Sequence, residues 1–379
     1  MPTFTIVPPD AHLRAKIKLV GVGGGGCNAL ESLMGRGLTG VDFVAVNTDS
    51  QHLKKSSAYA KLQIGNLATR GLGAGGVPDV GEDAAIEDKA RISEVLDGSD
   101  MVFITAGMGG GTGTGAAPVV SKVSKEVGAL TIAIVTMPFS FEGETKSLVA
   151  SEGLARLEKE VDTLIVVPND NLCGGDSPVP VMQAFDSAND VLFRAVSGIT
   201  EIINTPGLIN TDFADVRTIM SQSGSKAIMG TGGASGSDRA VKAAETAVES
   251  PLLGALSIEG AEGVLLHIVS PADFGMDELE KVCDYVRQKS SRDVNLIFGW
   301  TVDENADGEV RVTIIATGIR DPGDSPRKPA APPPQPNGAA AEADLFTPSS
   351  RKVTDPEDPD LEIPAYLRDK KPDETASEG

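Results

Sequence analysis

Gly107-Met108-Gly109-Gly110-Gly111-Thr112-Gly113-Thr114-Gly115 is the stretch on which the reading of this chain turns. Ahead of it, Met101-Val102-Phe103-Ile104-Thr105 is a short apolar run of the kind that forms a strand buried on both faces. Behind it, Ala116 to Val123 is spaced as a helix with Pro118 in its first turn. Strand, side-chain-free loop and helix N-terminus together make an anion site. The glycines let backbone N–H groups close on a phosphate, Thr112 and Thr114 add hydroxyls, and the helix dipole favours the negative charge. A flexible linker would have neither the buried strand nor the helix beside it.

The same unit recurs along the first half. Ile17–Val20 runs into Gly21-Val22-Gly23-Gly24-Gly25-Gly26-Cys27-Asn28 and a helix. Phe43–Val46 delivers Asn47, Thr48 and Asp49, and Lys61–Ile64 precedes a further glycine loop at 71–76. Residues 82–97 read as one helix with Ala85, Ile86, Ala90, Ile92 and Leu96 on its apolar face. Leu130–Val135 and Leu164–Val167 end in polar loops at 137–143 and 168–170. Strands alternating with helices predict an α/β fold, a doubly wound parallel sheet with its ligand loops at the carboxyl ends of the strands. A long helix from Val181 to Thr205 follows, stopped by Pro206-Gly207. Beyond it, helices at 212–222, 238–248 and 276–289 and strands at 227–230, 264–269, 295–302 and 310–316 suggest a smaller α+β domain.

Composition narrows the class. A net charge of -21 over 379 residues argues against nucleic acid as a partner. Cys27, Cys173 and Cys283 are far apart and suggest neither a disulfide framework nor a zinc site. No apolar run approaches spanning length, and Met1 to Arg14 lacks a signal peptide's layout, so a cytoplasmic protein without direct membrane insertion is expected.

Taken alone, the first loop, with Gly21, Gly23 and Gly26 in GxGxxG spacing, reads as a dinucleotide fingerprint, Asp42 or Asp49 serving the ribose. That reading leaves the two other glycine loops without work. Three anion-cradling loops fit a nucleoside triphosphate better. No GxxxxGK[ST] occurs, so a P-loop is excluded, and there is no NKxD guanine signature.

Gly109–Gly115 resembles the signature of the tubulin/FtsZ family, and Asn210-Thr211-Asp212-Phe213-Ala214-Asp215 resembles the synergy loop of its bacterial division branch. Leu361 to Arg368 resembles that branch's C-terminal peptide, and the likeness runs from about Lys16 to Arg320 and resumes at the tail. The resemblance implies a Rossmann-like GTPase domain, a long central helix, a smaller α+β domain and a disordered tail. It divides the chain into a flexible extension 1–13, a GTP-binding domain 14–180, the central helix 181–207 and a C-terminal domain 208–320. A linker 321–357, a partner-binding peptide 358–371 and an acidic end 372–379 follow.

It also implies roles. Gly24, Gly25, Gly26, Cys27 and Asn28 approach the phosphates with Gly111, Thr112 and Gly113, while Ala74, Gly75 and Gly76 close over the γ-phosphate. Glu142 holds the ribose, and Asn169 and Asp190 read guanine with Phe185 stacked on the ring. Asp190 lies five residues beyond Phe185, which is taken to let both face the site. Asn210, Asp212 and Asp215 are placed against the nucleotide of a neighbouring copy, orienting water for attack with the help of Mg²⁺. Composition alone reads Asp212 and Asp215 as a cap and first-turn acid of the next helix. The implied partners are the chain itself, in head-to-tail filaments, and FtsA-like or similar proteins that tether the tail peptide at the mid-cell division site. Two departures from the family stand out. Lys146 replaces the usual Arg, losing its fork. Cys27, at a helix N-terminus, is either a low-pKa thiol open to alkylation or a small space-filler.

Overall fold

The order in which the strands lie side by side fixes where a ligand can sit. The computed structural model describes residues 15–172, 180–204, 213–222, 225–250, 257–291, 294–303 and 306–319. Asn210, Asp212, Cys173 and everything from 320 onward, including the tail peptide, lie outside the described residues.

The first half runs β1 (Ile17–Val22), α1 (Gly23–Gly35), β2 (Asp42–Asn47), α2 (Ser50–Lys55), β3 (Ala60–Gln63), α3 (Asn66–Thr69), α4 (Pro78–Glu87) and α5 (Lys89–Leu96). It continues through β4 (Met101–Gly107), α6 (Thr112–Glu126), β5 (Leu130–Met137), α7 (Glu144–Glu160) and β6 (Thr163–Pro168), with 3-10 turns at Ser140–Glu142 and Asn169–Leu172. Then come α8 (Val181–Asn204), α9 (Phe213–Gln222), β7 (Ser225–Ser235), α10 (Arg239–Val248), β8 (Gly263–Ser270), α11 (Met276–Lys289), β9 (Asn295–Val302) and β10 (Glu309–Thr317).

Among the described residues ten strands join one sheet in the order β3-β2-β1-β4-β5-β6-β7-β10-β8-β9. The first six are parallel and obey the doubly wound rule, with the order reversing between β1 and β4, where Gly21 pairs with Thr105 and Val22 with Ala106. A crevice opens at such a switch point, at the carboxyl ends of the strands. Beyond a short register of β6 on β7 (Thr163 to Ile165 against Ser225 to Ala227), β10 runs antiparallel to both β7 and β8.

Both faces of β4 are buried because helices cover both. Met101 and Phe103 enter one core with Leu30, Leu33 and Ile199, and Val102 and Ile104 enter the other with Ile92, Val120 and Leu157. A third core lies in the second half, where the alanine face of α10 (Ala240, Ala243, Ala244, Ala247) meets Val264, Leu266, Val282 and Ile314. The 24-residue α8, about 36 Å long, packs on α1 and also on β8, β9 and β10.

The structure corrects several expectations. Helix α6 begins at Thr112 rather than Ala116, so Pro118 sits inside the helix and not in its first turn. Glycines and threonines are weak helix formers, but contact with α4 demands glycine at 115. A Cβ on Gly115 would lie 2.7 Å from the Glu82 nitrogen and nearer still to the Pro78 carbonyl oxygen. The single helix expected over 82–97 is two, broken at Asp88, whose carboxylate accepts from the Gly65 N–H at 2.8 Å and from Arg91 at 2.9 Å. The break shifts the helical phase, leaving Ile86 exposed. Strand β7 extends to Ser235 through Gly230, Gly232 and Gly233; the backbone of α10 presses on Gly230 and Gly232, and Gly233 lies against the Glu309 and Arg311 side chains of β10.

Candidate functional site

Two helices point their N-termini at the switch point, and neither has a side-chain cap. Val22 precedes α1 and Gly111 precedes α6, and neither offers a side-chain acceptor to the first turn. The first-turn N–H groups of a helix have no intrahelical partners, so each terminus presents donors and a partial positive charge. The two termini touch. A Cβ on Gly23 would lie 2.7 Å from the Gly113 nitrogen, and one on Gly113 would lie 2.6 Å from the Gly107 carbonyl oxygen. Only glycine permits that approach.

A cavity of about 510 Å³ opens beside this junction. Gly25 and Asn28 of α1, Thr105 to Gly110 at and beyond the end of β4, and Thr136 to Pro138 at and beyond the end of β5 form part of its wall. Glu142, Lys146, Asn169 and one face of α8, with Met182, Phe185, Asp186 and Asn189, complete it. Lys146 donates to Glu142 Oε2 at 3.0 Å, and the other Glu142 oxygen accepts from the Phe139 N–H at 3.0 Å. Phe185, 44% exposed, is braced edge-on by Phe139 with ring centroids 5.2 Å apart. Asn169 is buried, and its Oδ1 has no hydrogen-bond partner among the described residues. A buried acceptor left unpaired is a costly group, and one on a cavity wall marks where a ligand donor belongs.

Of the residues singled out in the sequence, Gly25, Asn28, Glu142, Lys146, Asn169 and Phe185 line this cavity. Gly24 adjoins Gly25 in the first turn of α1, and Gly26 is buried against Thr105. Gly111, Thr112 and Gly113 form the cap and first turn of α6, just behind Gly110 of the wall. The hydroxyls there serve the protein. Thr112 pairs with Thr48 at 2.6 Å, and Thr114 accepts from the Gly109 N–H at 2.9 Å, so backbone groups are left to face the cavity. Ala74 packs on Gly111, while Gly75 and Gly76 are exposed with positive φ and open space around them. Asp215 lies in the exposed first turn of α9, outside the cavity wall.

One residue is placed differently from expectation, and one open alternative is decided. Asp190 is not on the wall. Its Oδ1 accepts from Arg36 at 2.6 Å and its Oδ2 from Arg194 at 2.7 Å. Five residues along a helix turn a side chain well away from Phe185, whereas four bring it back to the same face. Asn189, four on from Phe185, and Asp186 are therefore the α8 polar groups that line the cavity. Helical phase was the signal that could have found them. Cys27 points into the core, and burial pushes its thiol up to about 11, an effect that the Asn47 hydrogen bond only partly offsets. It is the space-filler and not the reactive thiol.

His52, which no sequence motif marks, holds Asn28 Oδ1 through Nε2 at 2.9 Å, and its Nδ1 lies 3.3 Å from Asn47 Nδ2. Asp49, the ribose candidate of the dinucleotide reading, caps α2 by accepting from Gln51 and His52 N–H groups.

A parallel sheet with a crevice at its switch point, two uncapped helix ends and an acceptor-bearing cavity beside them define a nucleotide-binding α/β protein. The Tubulin/FtsZ family, GTPase domain, matches residues 16–175, and the FtsZ family, C-terminal domain, matches residues 225–320. Among solved structures, FtsZ from M. jannaschii is 45% identical over 81% of this chain and 89% of that one, with a TM-score of 0.77. CetZ2 and CetZ1 from Haloferax volcanii share the fold at 23% and 22% identity, with TM-scores of 0.67 and 0.68. They cover 80% and 81% of this chain and 93% and 95% of their own. The chain belongs to the FtsZ branch of the tubulin/FtsZ family of GTPases.

Proposed function

We propose that this protein binds GTP in the cavity, assembles head to tail, and hydrolyses the nucleotide between neighbouring copies as the filament of a cell-division ring. The observation that carries the reading is the buried Oδ1 of Asn169 on the cavity wall, unpartnered among the described residues. With the Asp186 carboxylate and the Asn189 amide it makes the wall rich in acceptors. Guanine offers N1–H and a 2-amino group side by side, while adenine has no such pair of donors. Phe185 supplies a face for the ring, and Glu142 is proposed for the ribose. The phosphates then face the N-termini of α1 and α6, with Lys146 as the nearby cation and the Ala74–Gly76 loop over the γ-phosphate. Mg²⁺ neutralises phosphate charge when bound. Among the described residues no cluster of three metal-binding side chains stands ready for it, so it is proposed only as a companion of the nucleotide.

Hydrolysis needs a group that orients water in line with the γ-phosphate. The cavity's own carboxylates are Glu142, held by Phe139 and Lys146, and Asp186. The reading therefore gives that role to Asn210, Asp212 and Asp215 of the next copy. A site divided between opposite faces is heterologous and builds filaments. FtsZ from M. jannaschii was solved as a dimer and CetZ2 as a GTPγS-bound protofilament, which supports self-assembly. Among the described residues no helix is long and apolar enough to cross a membrane. Placement in the cytoplasm at mid-cell is proposed to come from FtsA-like or similar tethers on residues 358–371.

The test is phosphate release with GTP and Mg²⁺ across a protein concentration series, read beside light scattering. Specific activity should be near zero at low concentration and rise with scattering, and Asp212→Ala should bind GTP but barely hydrolyse it. Activity per molecule that stays flat with concentration, or normal turnover by that variant, refutes the shared site.

A further inference from the structure

Asn28 lines the cavity from the second turn of α1, and its amide has two ends of opposite character, an acceptor oxygen and a donor nitrogen. Which end faces the cavity is settled by a relay that starts at a backbone N–H. The Asp49 N–H donates to Asn47 Oδ1 at 3.2 Å, and Asn47 is buried at the end of β2. That contact leaves Asn47 Nδ2 as the donor toward His52 Nδ1, 3.3 Å away. A ring nitrogen that accepts carries no proton, so the neutral imidazole holds its proton on Nε2. Nε2–H then donates to Asn28 Oδ1 at 2.9 Å, and the Nδ2 donors of Asn28 are the end left for the cavity. The ring lies against the first turn of α1, where a Cβ on Gly24 would stand 3.4 Å from its Cε1 and Nδ1.

We propose that His52 is a positioning residue for nucleotide binding: it holds the Asn28 amide with Nδ2 turned into the cavity, as a donor to an acceptor atom of the bound nucleotide. This rests on the GTP reading above. A nucleotide presents acceptors along most of its length, on its phosphates, its ribose and its ring, so an amide nitrogen aimed at it binds where an amide oxygen repels. Without the imidazole, the Asn28 amide is free to turn either way, and binding must then order it. His52 is not itself on the cavity wall and acts through Asn28. Its own place is set from the far side, by Asn47 and by the capped turn of α2, where Asp49 Oδ1 accepts from the His52 N–H at 3.2 Å.

The experiment titrates the full chain, below its assembly concentration, with GDP and builds a double-mutant cycle from His52→Leu and Asn28→Ala. His52→Leu keeps bulk against Gly24 and removes both ring hydrogen bonds, whereas His52→Gln keeps an amide N–H donor toward Asn28. His52→Leu should bind GDP about fivefold more weakly, the cost of ordering one side chain on binding, and Asn28→Ala about tenfold more weakly, the loss of one hydrogen bond. The double variant should bind no more weakly than Asn28→Ala, and His52→Gln should recover most of the loss. Additive losses, undiminished binding by His52→Leu, or a His52→Gln protein as weak as His52→Leu overturns the proposal. His12, His52 and His267 are the three histidines of the chain, so nitrogen-15 spectra of histidine-labelled protein read the ring directly. The His52 proton should sit on Nε2 in the unaltered protein without nucleotide, and a proton on Nδ1 refutes the relay even where a variant fails to fold. If the unaltered protein binds no GDP, the nucleotide reading itself fails and this inference with it. GDP binding by the unaltered protein together with an additive cycle refutes His52 alone.

Discussion

Replacing Gly115 by Ala sets two opposed effects against each other. Gly115 lies within α6, where alanine is favoured over glycine by about 1 kcal/mol, so propensity alone predicts a more stable protein. The structure predicts the reverse. The new methyl would stand 2.7 Å from the Glu82 nitrogen, 2.8 Å from the Pro78 carbonyl carbon and closer still to the Pro78 oxygen, all backbone atoms of α4. Non-bonded contacts are comfortable at about 3.5 Å or more, so α4 must withdraw by roughly 1 Å. Overpacking of this kind costs about 1–3 kcal/mol and at backbone contacts falls at the upper end. The net expectation is a loss of about 2 kcal/mol. Because Ala74 and Val77, just ahead of α4, pack on Gly111, weaker nucleotide binding should accompany it. Urea unfolding followed by far-ultraviolet circular dichroism measures the change, with Gly35→Ala as the control. Gly35 ends α1, is free of positive φ and has nothing within 4 Å of its would-be Cβ, so alanine there should be neutral or stabilising. A Gly115→Ala protein as stable as the unaltered one would refute the close-packing argument.

Two further outcomes follow from buried titratable groups. With its pKa pushed up to about 11, Cys27 in the folded protein at pH 8 should react with iodoacetamide about 100-fold more slowly than in denaturant, as read by mass mapping of its peptide. Rapid labelling in the native protein would contradict its burial. His267 hydrogen-bonds Thr301 at 3.1 Å and faces Glu201 at 3.4 Å, and burial, then the Arg311 charge, lower its pKa to about 4. The native state therefore prefers neutral His267, so stability is unaffected above about pH 6.5 and falls from there toward pH 4 as the unfolded chain takes the proton first. That one group should remove about 3 kcal/mol by pH 4, set against a smaller opposite contribution from Glu201, whose pKa burial raises. His267→Gln should flatten this acid limb in pH-dependent urea titrations, and an unchanged slope would show that His267 is not the group responsible.

Much of the fold was legible because its determinants are local. Runs such as Met101–Thr105 and Leu130–Val135 are apolar on both faces and too short for helices, which marks buried parallel strands. The glycine loop after the first of them includes close approaches of backbone at Gly107, Gly111 and Gly113, and Met276–Lys289 emerged with its bounds unchanged. The failures share one cause. The start of α6, the break at Asp88 and the glycine half of β7 are places where a neighbouring element dictates a conformation that the local residues do not prefer.

The chain by itself thus determined the residue types of the site: glycines where backbones must close on one another, an amide at the end of β6, and an aromatic on the long helix. Which side chains share the cavity was decided only by tertiary structure. Asp190 and Asn189 are neighbours in sequence and equally polar, but helical rotation puts Asn189 on the wall and hands Asp190 to Arg36, which is 154 residues away in the chain. Cys27 sits beside the phosphate loop in sequence, yet the same rotation turns its thiol into the core. Pattern in a sequence gives the period of a helix, whereas its phase against its neighbours is set by packing.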